Sequence, residues 1–119
     1  ELIQQAKIAR TFAKAEYSNY QVGAALLCEN GEVIHGCNIE SKAYPTTMCA
    51  ERVAIYSAVS RGITKFVSIA VVTPDGATPC GACRQVMYEY AGNIPVYLAD
   101  LNGNENCIQL NELLPHPFL

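Results

Sequence analysis

The chain has 119 residues, of which 50% are hydrophobic and 16% are charged, and its net charge at pH 7 is −3. This length fits a single domain over residues 1–119, and the apolar fraction excludes a disordered chain or a coiled coil. No segment concentrates lysine or arginine, so we expect neither a nucleic-acid-binding surface nor a membrane-binding one.

Hydrophobic periodicity and turn signals divide the chain into helices and strands. In chain order, the predicted elements are helix 2–16, strand 21–28, strand 32–39, helix 49–60, strand 66–72, helix 80–91, strand 95–99, strand 107–110 and a helical turn at 111–114. The Asn30-Gly31 and Asn102-Gly103 turns require antiparallel neighbours, whereas helical crossovers imply parallel strand pairs. The predicted fold is an α/β, three-layer α/β/α sandwich with a mixed five-stranded sheet.

Six cysteines are unusual in a chain of this length. An even count can mean three disulfides in a small secreted scaffold. The sequence shows no secretory signal and no bilayer-length apolar run, although Glu1 indicates that the native chain begins earlier. Cys28, Cys37 and Cys107 lie in strand-like stretches, where a free cysteine is usually a small buried hydrophobe. We therefore expect these three in the core, and metal or redox chemistry for the others.

The other three cysteines belong to two motifs at helix starts, Cys49-Ala50-Glu51-Arg52 and Pro79-Cys80-Gly81-Ala82-Cys83-Arg84-Gln85. Cys80 and Cys83 share a helix face, and helix N-termini favour thiolates, so together with Cys49 they can bind one ion. Three thiolates on Zn²⁺ leave one tetrahedral position open, which is typical of a catalytic site. Glu51 is close enough to reach a water there, whose pKa zinc lowers to about 7. A thioredoxin-like redox pair and a closed structural zinc site with a fourth cysteine remain alternatives.

Together, the two motifs resemble the signature of the zinc-dependent nucleoside and nucleobase deaminases, (His or Cys)-x-Glu followed by Pro-Cys-x-x-Cys. Within that group, the chain resembles the free-nucleoside cytidine deaminases of the three-cysteine, homotetrameric class. The resemblance covers nearly the whole chain. Its further matching segments are Tyr17–Ala25, Gly36–Glu40, Leu113–Pro115 and Phe118.

The resemblance implies hydrolytic deamination of cytidine and 2′-deoxycytidine, as part of pyrimidine salvage. It implies that Cys49, Cys80 and Cys83 hold one zinc ion per subunit. It also implies that Glu51 carries protons from the water to N3 of cytosine and to the leaving amine. The implied partners are a small nucleoside and three further copies of the chain, in a cytoplasmic homotetramer without nucleic acid or membrane.

The resemblance also implies a set of substrate contacts. Asn38 and Glu40 would hold the ribose hydroxyls, since alternation along a strand puts them on one face. The Ala50 backbone would contact the pyrimidine edge, and Tyr20 stands where the family usually has a base-packing Phe. The remaining implied residues are Tyr44 and Phe118, which would reach a neighbouring subunit's nucleoside, and Arg52 and Arg84, which would offset the negative charge of the site.

Three features depart from the family's usual pattern, namely Ser41-Lys42 after the ribose carboxylate, Pro45 after Tyr44, and the hydroxyl of Tyr20. All three lie near the expected sugar or base pocket, so they bear on the preferred nucleoside rather than on the chemistry. A modified cytosine nucleoside such as blasticidin S is therefore the alternative substrate. Polynucleotide substrates are disfavoured because the chain is acidic.

Overall fold

The computed structural model describes residues 1–118, and within that range it shows a five-stranded sheet with helices on both faces. The elements are α1 (Leu2–Arg10), β1 (Gly23–Cys28), β2 (Val33–Cys37), a 3-10 turn (Tyr44–Thr46), α2 (Ala50–Ser60), β3 (Phe66–Val72), α3 (Gly81–Ala91), β4 (Pro95–Ala99), β5 (Glu105–Gln109) and α4 (Leu110–Leu113). The strand order is β2-β1-β3-β4-β5. The three-layer fold predicted from the sequence is confirmed. No helix of the described residues is long and apolar enough to cross a bilayer.

The two helical crossovers produce different strand pairings. β3 and β4 are parallel neighbours joined through α3, as predicted. β2 and β3, which are joined through α2, do not touch, because β1 lies between them and pairs antiparallel with both. The expectation that both crossovers join neighbouring strands is therefore wrong for α2, whose connection passes over one strand.

Helix α1 is shorter than its hydrophobic pattern predicts. It ends at Arg10, and the backbone N–H groups of the next three residues bond to carbonyls three positions earlier, which tightens the chain out of the helix. Lys14 then pairs with the segment after β2, since its N–H donates to the carbonyl of Asn38 and its carbonyl accepts from Glu40. This long-range pairing overrides the local helical preference of residues 11–16.

The sheet separates two hydrophobic clusters, and glycines let the helices approach it closely. Alternate residues of β1 face α2 and α3 on one side and α1 on the other. Gly36 in β2 lies directly against the backbone of α2, and Gly23 in β1 lies directly against α1. A side chain at either position would occupy the space of helix backbone, so Gly36 sets how closely α2 approaches the sheet and Gly23 sets how closely α1 does.

The three cysteines expected in the core differ in burial. Cys28 is buried as predicted, and Cys37 is half-buried. Cys107 is exposed, so the prediction is wrong for this residue. It lies on β5, which forms one edge of the sheet and is largely exposed along its length. All six cysteines are free thiols.

Candidate active site

The cysteine cluster is formed where two helices begin side by side. Cys49 is the N-cap of α2, Cys80 is the N-cap of α3, and Cys83 lies in the first turn of α3. Their Sγ atoms lie within 4.8 Å of one another, with 3.9 Å between Cys49 and Cys80 and 3.2 Å between Cys80 and Cys83. The Cys80 sulfur also accepts the Cys83 backbone N–H, as a capping side chain does. Two helix N-termini thus direct their positive ends at one group of sulfurs.

Arg52 adds positive charge to this cluster. Its Nη2 lies 3.3 Å from the Cys49 sulfur, while its Nε is buried without a hydrogen-bond partner among the described residues. Hydrogen bonds from Cys83 and from Arg52 lower the pKa of Cys49 to about 5, against the opposing effect of burial. The hydrogen bond to Cys49 and burial raise the pKa of Cys83. Of these two thiols, Cys49 is therefore the one that ionises more readily.

The three sulfurs fit a zinc ion. Thiolates bound tetrahedrally at about 2.3 Å from zinc lie about 3.8 Å apart. The Cys49–Cys80 separation of 3.9 Å already matches that spacing, and the Cys80–Cys83 pair at 3.2 Å needs to open by about 0.6 Å. Among residues 1–118, the cluster contains these three ligand-bearing side chains. A tetrahedral ion held this way keeps a fourth position for water or substrate.

Glu51 follows Cys49 by two residues and lies in the first turn of α2. Its side chain is almost fully buried, with 5% of the residue exposed. Burial raises the pKa of Glu51 to about 7. A hydrogen bond from its own backbone N–H acts to lower this pKa, whereas the negative charge of Cys49 acts to raise it. A buried carboxyl group beside a metal-binding cluster is the arrangement expected for a general acid and base.

Glu51, Cys49 and Cys80 line a cavity of about 420 Å³, within the size range of small-molecule sites. One wall of this cavity comes from the segments around residues 18–22 and 38–40, and the other comes from residues 73–80. The predicted site residues that line the cavity are Tyr20, Asn38, Glu40, Tyr44, Cys49, Ala50, Glu51 and Cys80. The structure thus brings these eight predicted positions together at one cavity.

The two residues expected to hold ribose make contacts of their own in the first wall. The Asn38 side chain donates to the Tyr20 carbonyl at 2.8 Å and accepts the Val22 N–H at 2.9 Å. The Glu40 carboxylate accepts the backbone N–H groups of Tyr17 and Ser18 and the hydroxyl of Ser18, and the Ser18 bonds chiefly lower its pKa. Both residues line the cavity, and each side chain keeps hydrogen-bonding capacity that these contacts do not use.

Two aromatic residues with implied roles in a neighbouring subunit are exposed. Tyr44 lies in the 3-10 turn at the edge of the cavity and is 83% exposed. Phe118 is 84% exposed, does not line the cavity, and is joined to α3 by a hydrogen bond from its backbone N–H to the Gln85 side chain. Within one chain, Phe118 therefore lies outside the site.

Arg84 does not share the position of Arg52. Its guanidinium donates to the carbonyls of Pro79 and Leu113, at 2.8 and 2.9 Å, and to the hydroxyl of Thr78 at 2.8 Å. These contacts join the loop before Cys80 to the C-terminal segment. In the described part of the chain, the hydrogen bonds of Arg84 go to these oxygens rather than to a sulfur.

Two residues of the cavity region escaped the sequence-based prediction. Ser18 lines the cavity and binds Glu40, and Asp75 accepts a hydrogen bond from the Tyr20 hydroxyl across 55 sequence positions. Asp75 lies in a Pro-Asp-Gly sequence that signals only a turn. A turn signal carries no information about a distant partner, so this contact had no signature in the sequence.

A family model described as the cytidine and deoxycytidylate deaminase zinc-binding region matches residues 1–98. The chain belongs to the cytidine and deoxycytidylate deaminase family. A cytidine deaminase from Sporosarcina psychrophila is 49% identical over 121 residues, covering 99% of this chain and 89% of that protein. The crystal structure of a cytidine deaminase from Burkholderia pseudomallei has 44% identity and a TM-score of 0.95, covering 98% of this chain and 96% of that one.

A more distant member of this deaminase family bears on the alternative substrate. A blasticidin-S deaminase from Bacillus cereus is 34% identical over 110 residues, covering 84% of this chain and 78% of that protein.

The zinc-binding character of the matched family agrees with the three-cysteine cluster, so the redox-pair alternative loses its support. Membership in the family explains why the two helix-start motifs and the buried glutamate occur together.

Proposed function

We propose that this chain is a zinc-dependent hydrolase that converts cytidine and 2′-deoxycytidine to uridine and 2′-deoxyuridine with release of ammonia. The position of Glu51 carries the proposal, because its buried carboxyl group lies in a cavity beside three sulfurs suited to one zinc ion. The relatives named cytidine deaminase support the choice of substrate.

Cys49, Cys80 and Cys83 would hold one zinc ion per subunit. When bound, zinc lowers the pKa of a water molecule and so supplies a nucleophile at neutral pH. Glu51 takes a proton from the attacking water and delivers it to N3 of cytosine, which makes C4 more electrophilic. Glu51 then transfers the second proton to the exocyclic amine. The C4–O bond forms first, the C4–N bond then breaks as that oxygen becomes the C4 carbonyl, and cytidine plus water becomes uridine plus ammonia.

The cavity supports distinct roles for the remaining residues. Tyr20 packs against the base, and the Ala50 backbone contacts the pyrimidine edge. Asn38 and Glu40 use their remaining hydrogen-bonding capacity on the ribose hydroxyls, while their other contacts fix their orientation. Arg52 offsets the negative charge of three thiolates on a divalent ion through its contact with Cys49. Arg84, which directly follows Cys83, adds a second positive charge on α3.

The active unit is proposed to be a homotetramer of the cytoplasm that acts in pyrimidine salvage. Tyr44 and Phe118 would complete the site of a neighbouring subunit, and the high exposure of both rings in one chain supports that arrangement. Light scattering at the enzyme concentration used for the assay tests it. We expect the mass of four chains, and a fully active monomer would contradict the shared site.

The function is tested by mixing zinc-loaded protein with cytidine, 2′-deoxycytidine or blasticidin S and measuring nucleoside product and ammonia. We expect equimolar uridine and ammonia from cytidine, and slower turnover of blasticidin S. Faster turnover of blasticidin S would assign the alternative substrate. A zinc-loaded protein that turns over none of the three would refute the deaminase proposal. Cys83→Ala, prepared in parallel, controls for a contaminating deaminase.

A further inference from the structure

The two walls of the cavity are joined by a hydrogen bond between side chains. The Tyr20 hydroxyl, from the first wall, donates to Oδ1 of Asp75 at 2.6 Å. Asp75 belongs to the loop 73–79, which follows β3 and runs directly into Cys80. A hydroxyl-to-carboxylate bond of this length is in the charge-assisted range, where hydrogen bonds are stronger than between neutral groups. We call this Tyr20–Asp75 hydrogen bond the latch.

The Tyr20 end of the latch is fixed by other contacts. The Tyr20 carbonyl accepts from Asn38, and its backbone N–H donates to the hydroxyl of Ser18 at 3.1 Å. Asn19, between them, adopts a φ of 57°, a left-handed conformation that asparagine tolerates better than most residues. The backbone of Tyr20 is therefore held tightly to the end of β2, and its ring projects from an ordered turn.

The Asp75 end lies in a compact turn in the middle of the loop, whose two ends are anchored by the Thr73 N–H on Ala99 and by Arg84 on Thr78 and Pro79. Oδ1 of Asp75 also accepts from the hydroxyl of Thr73 and the backbone N–H of Ala77, each at 3.2 Å. The hydroxyl of Thr73 accepts the same Ala77 N–H at 3.0 Å. These bonds are internal to the loop 73–79 and do not attach it to the opposite wall. Thr73 and Ala77 line the cavity, so the position of the loop affects the shape of the pocket.

We propose that the latch holds the loop 73–79 against the first wall and thereby sets the width of the nucleoside pocket, with Asp75 acting as a positioning residue. This inference rests on the proposed function. A phenylalanine at position 20 would keep the ring that packs on the base and lose only the latch. The hydroxyl that departs from the family's usual pattern is thus assigned a role distinct from base packing.

Substrate kinetics of the zinc-loaded enzyme test the latch through a double-mutant cycle of Tyr20→Phe and Asp75→Ala. We expect each single variant to raise KM for cytidine about three- to tenfold while kcat changes less than about twofold. Both variants remove the latch, and Asp75→Ala also removes the bonds to Thr73 and Ala77, so the double variant is expected to be no worse than Asp75→Ala alone. Asp75→Asn keeps an oxygen acceptor and is expected to recover most of the wild-type KM. Wild-type KM in both single variants, or additive effects in the double variant, would overturn the proposal.

Hydrogen exchange provides a measurement that needs no turnover. In zinc-loaded Tyr20→Phe, we expect the amides of the loop 73–79 to exchange faster than in the wild type. Tyr90→Phe is the matched control, because this exposed α3 tyrosine makes no side-chain hydrogen bond within residues 1–118. Unchanged exchange in Tyr20→Phe would overturn the latch even in a protein that failed to deaminate cytidine. Failure of wild-type turnover would refute only the proposed function.

Discussion

Gly36 determines how closely α2 can approach the sheet, and Gly36→Ala tests that dependence. A Cβ atom at this position would lie 2.3 Å from the Ala50 carbonyl oxygen and 2.6 Å from the Ala54 nitrogen. Ordinary van der Waals contact begins at 3.4 Å, so α2 would have to retreat by about 1.1 Å, the difference between 3.4 and 2.3 Å. Both obstructing atoms belong to backbone, so no side-chain rotation can relieve the clash.

The cost of this retreat has two parts. Overpacking a dense core costs about 1–3 kcal/mol and occasionally more. Retreat also opens a gap beneath Ala50, Ala54 and Ala58, which are fully buried on the sheet side of α2, and their dispersion contacts weaken. We therefore expect Gly36→Ala to lower the free energy of unfolding by about 3 kcal/mol, roughly a 150-fold change in the folded-to-unfolded ratio.

The same displacement affects the site, because α2 begins at the cysteine cluster. A misplacement of about 1 Å can cost on the order of 100-fold in turnover, so we expect a comparable loss in the folded variant. Urea unfolding of wild type and variant measures the stability change. Gly81→Ala is the control, since a Cβ there meets no heavy atom within 4 Å and should change stability by less than about 0.5 kcal/mol. Wild-type stability in Gly36→Ala, or equal losses in both variants, would refute the reasoning.

Three further predictions concern metal binding, the C-terminal contact and acid stability. Cys83→Ala should lose bound zinc, whereas exposed Cys107→Ser should keep the wild-type zinc content by metal analysis; equal zinc in both would remove Cys83 from the ligand set. Arg84→Ala removes hydrogen bonds to two carbonyls and should lower the free energy of unfolding in urea by about 1–3 kcal/mol, and an unchanged value would contradict this. Hydrogen bonds from Ser18 lower the pKa of Glu40 below its ordinary 4.5, so its stabilisation is present above pH 4.5 and is lost as the pH falls through the folded-state pKa. Glu40→Gln should therefore lose less stability than wild type on acidification, and equal losses would argue against the Ser18 contact.

The elements and the metal cluster could be predicted because their signals are local. Cys80 and Cys83 are three positions apart at a helix start, and the spacing alone puts both sulfurs on one face. Glu51 is two residues from Cys49, so a helix beginning at this motif carries both into the same site. The sheet followed similarly from strand-like runs and Asn-Gly turns.

The remaining features depend on pairings between distant segments. The end of α1 at Arg10 reflects the attachment of Lys14 beside β2, which nothing in residues 2–16 encodes. The exposure of Cys107 follows from the place of β5 at a sheet edge, and strand order is not visible in a single strand. The contact between Tyr20 and Asp75 likewise exists only once β1 and β3 lie side by side.

The proton-transfer role of Glu51 is tested most directly by the turnover of zinc-loaded Glu51→Gln with cytidine. Glutamine preserves the size of the side chain and one acceptor oxygen but cannot accept the proton of the attacking water. We expect zinc content equal to that of the wild type and a fall in kcat of about 10²- to 10⁴-fold. A kcat within about twofold of wild type at equal zinc content would contradict the role assigned to this buried carboxyl group.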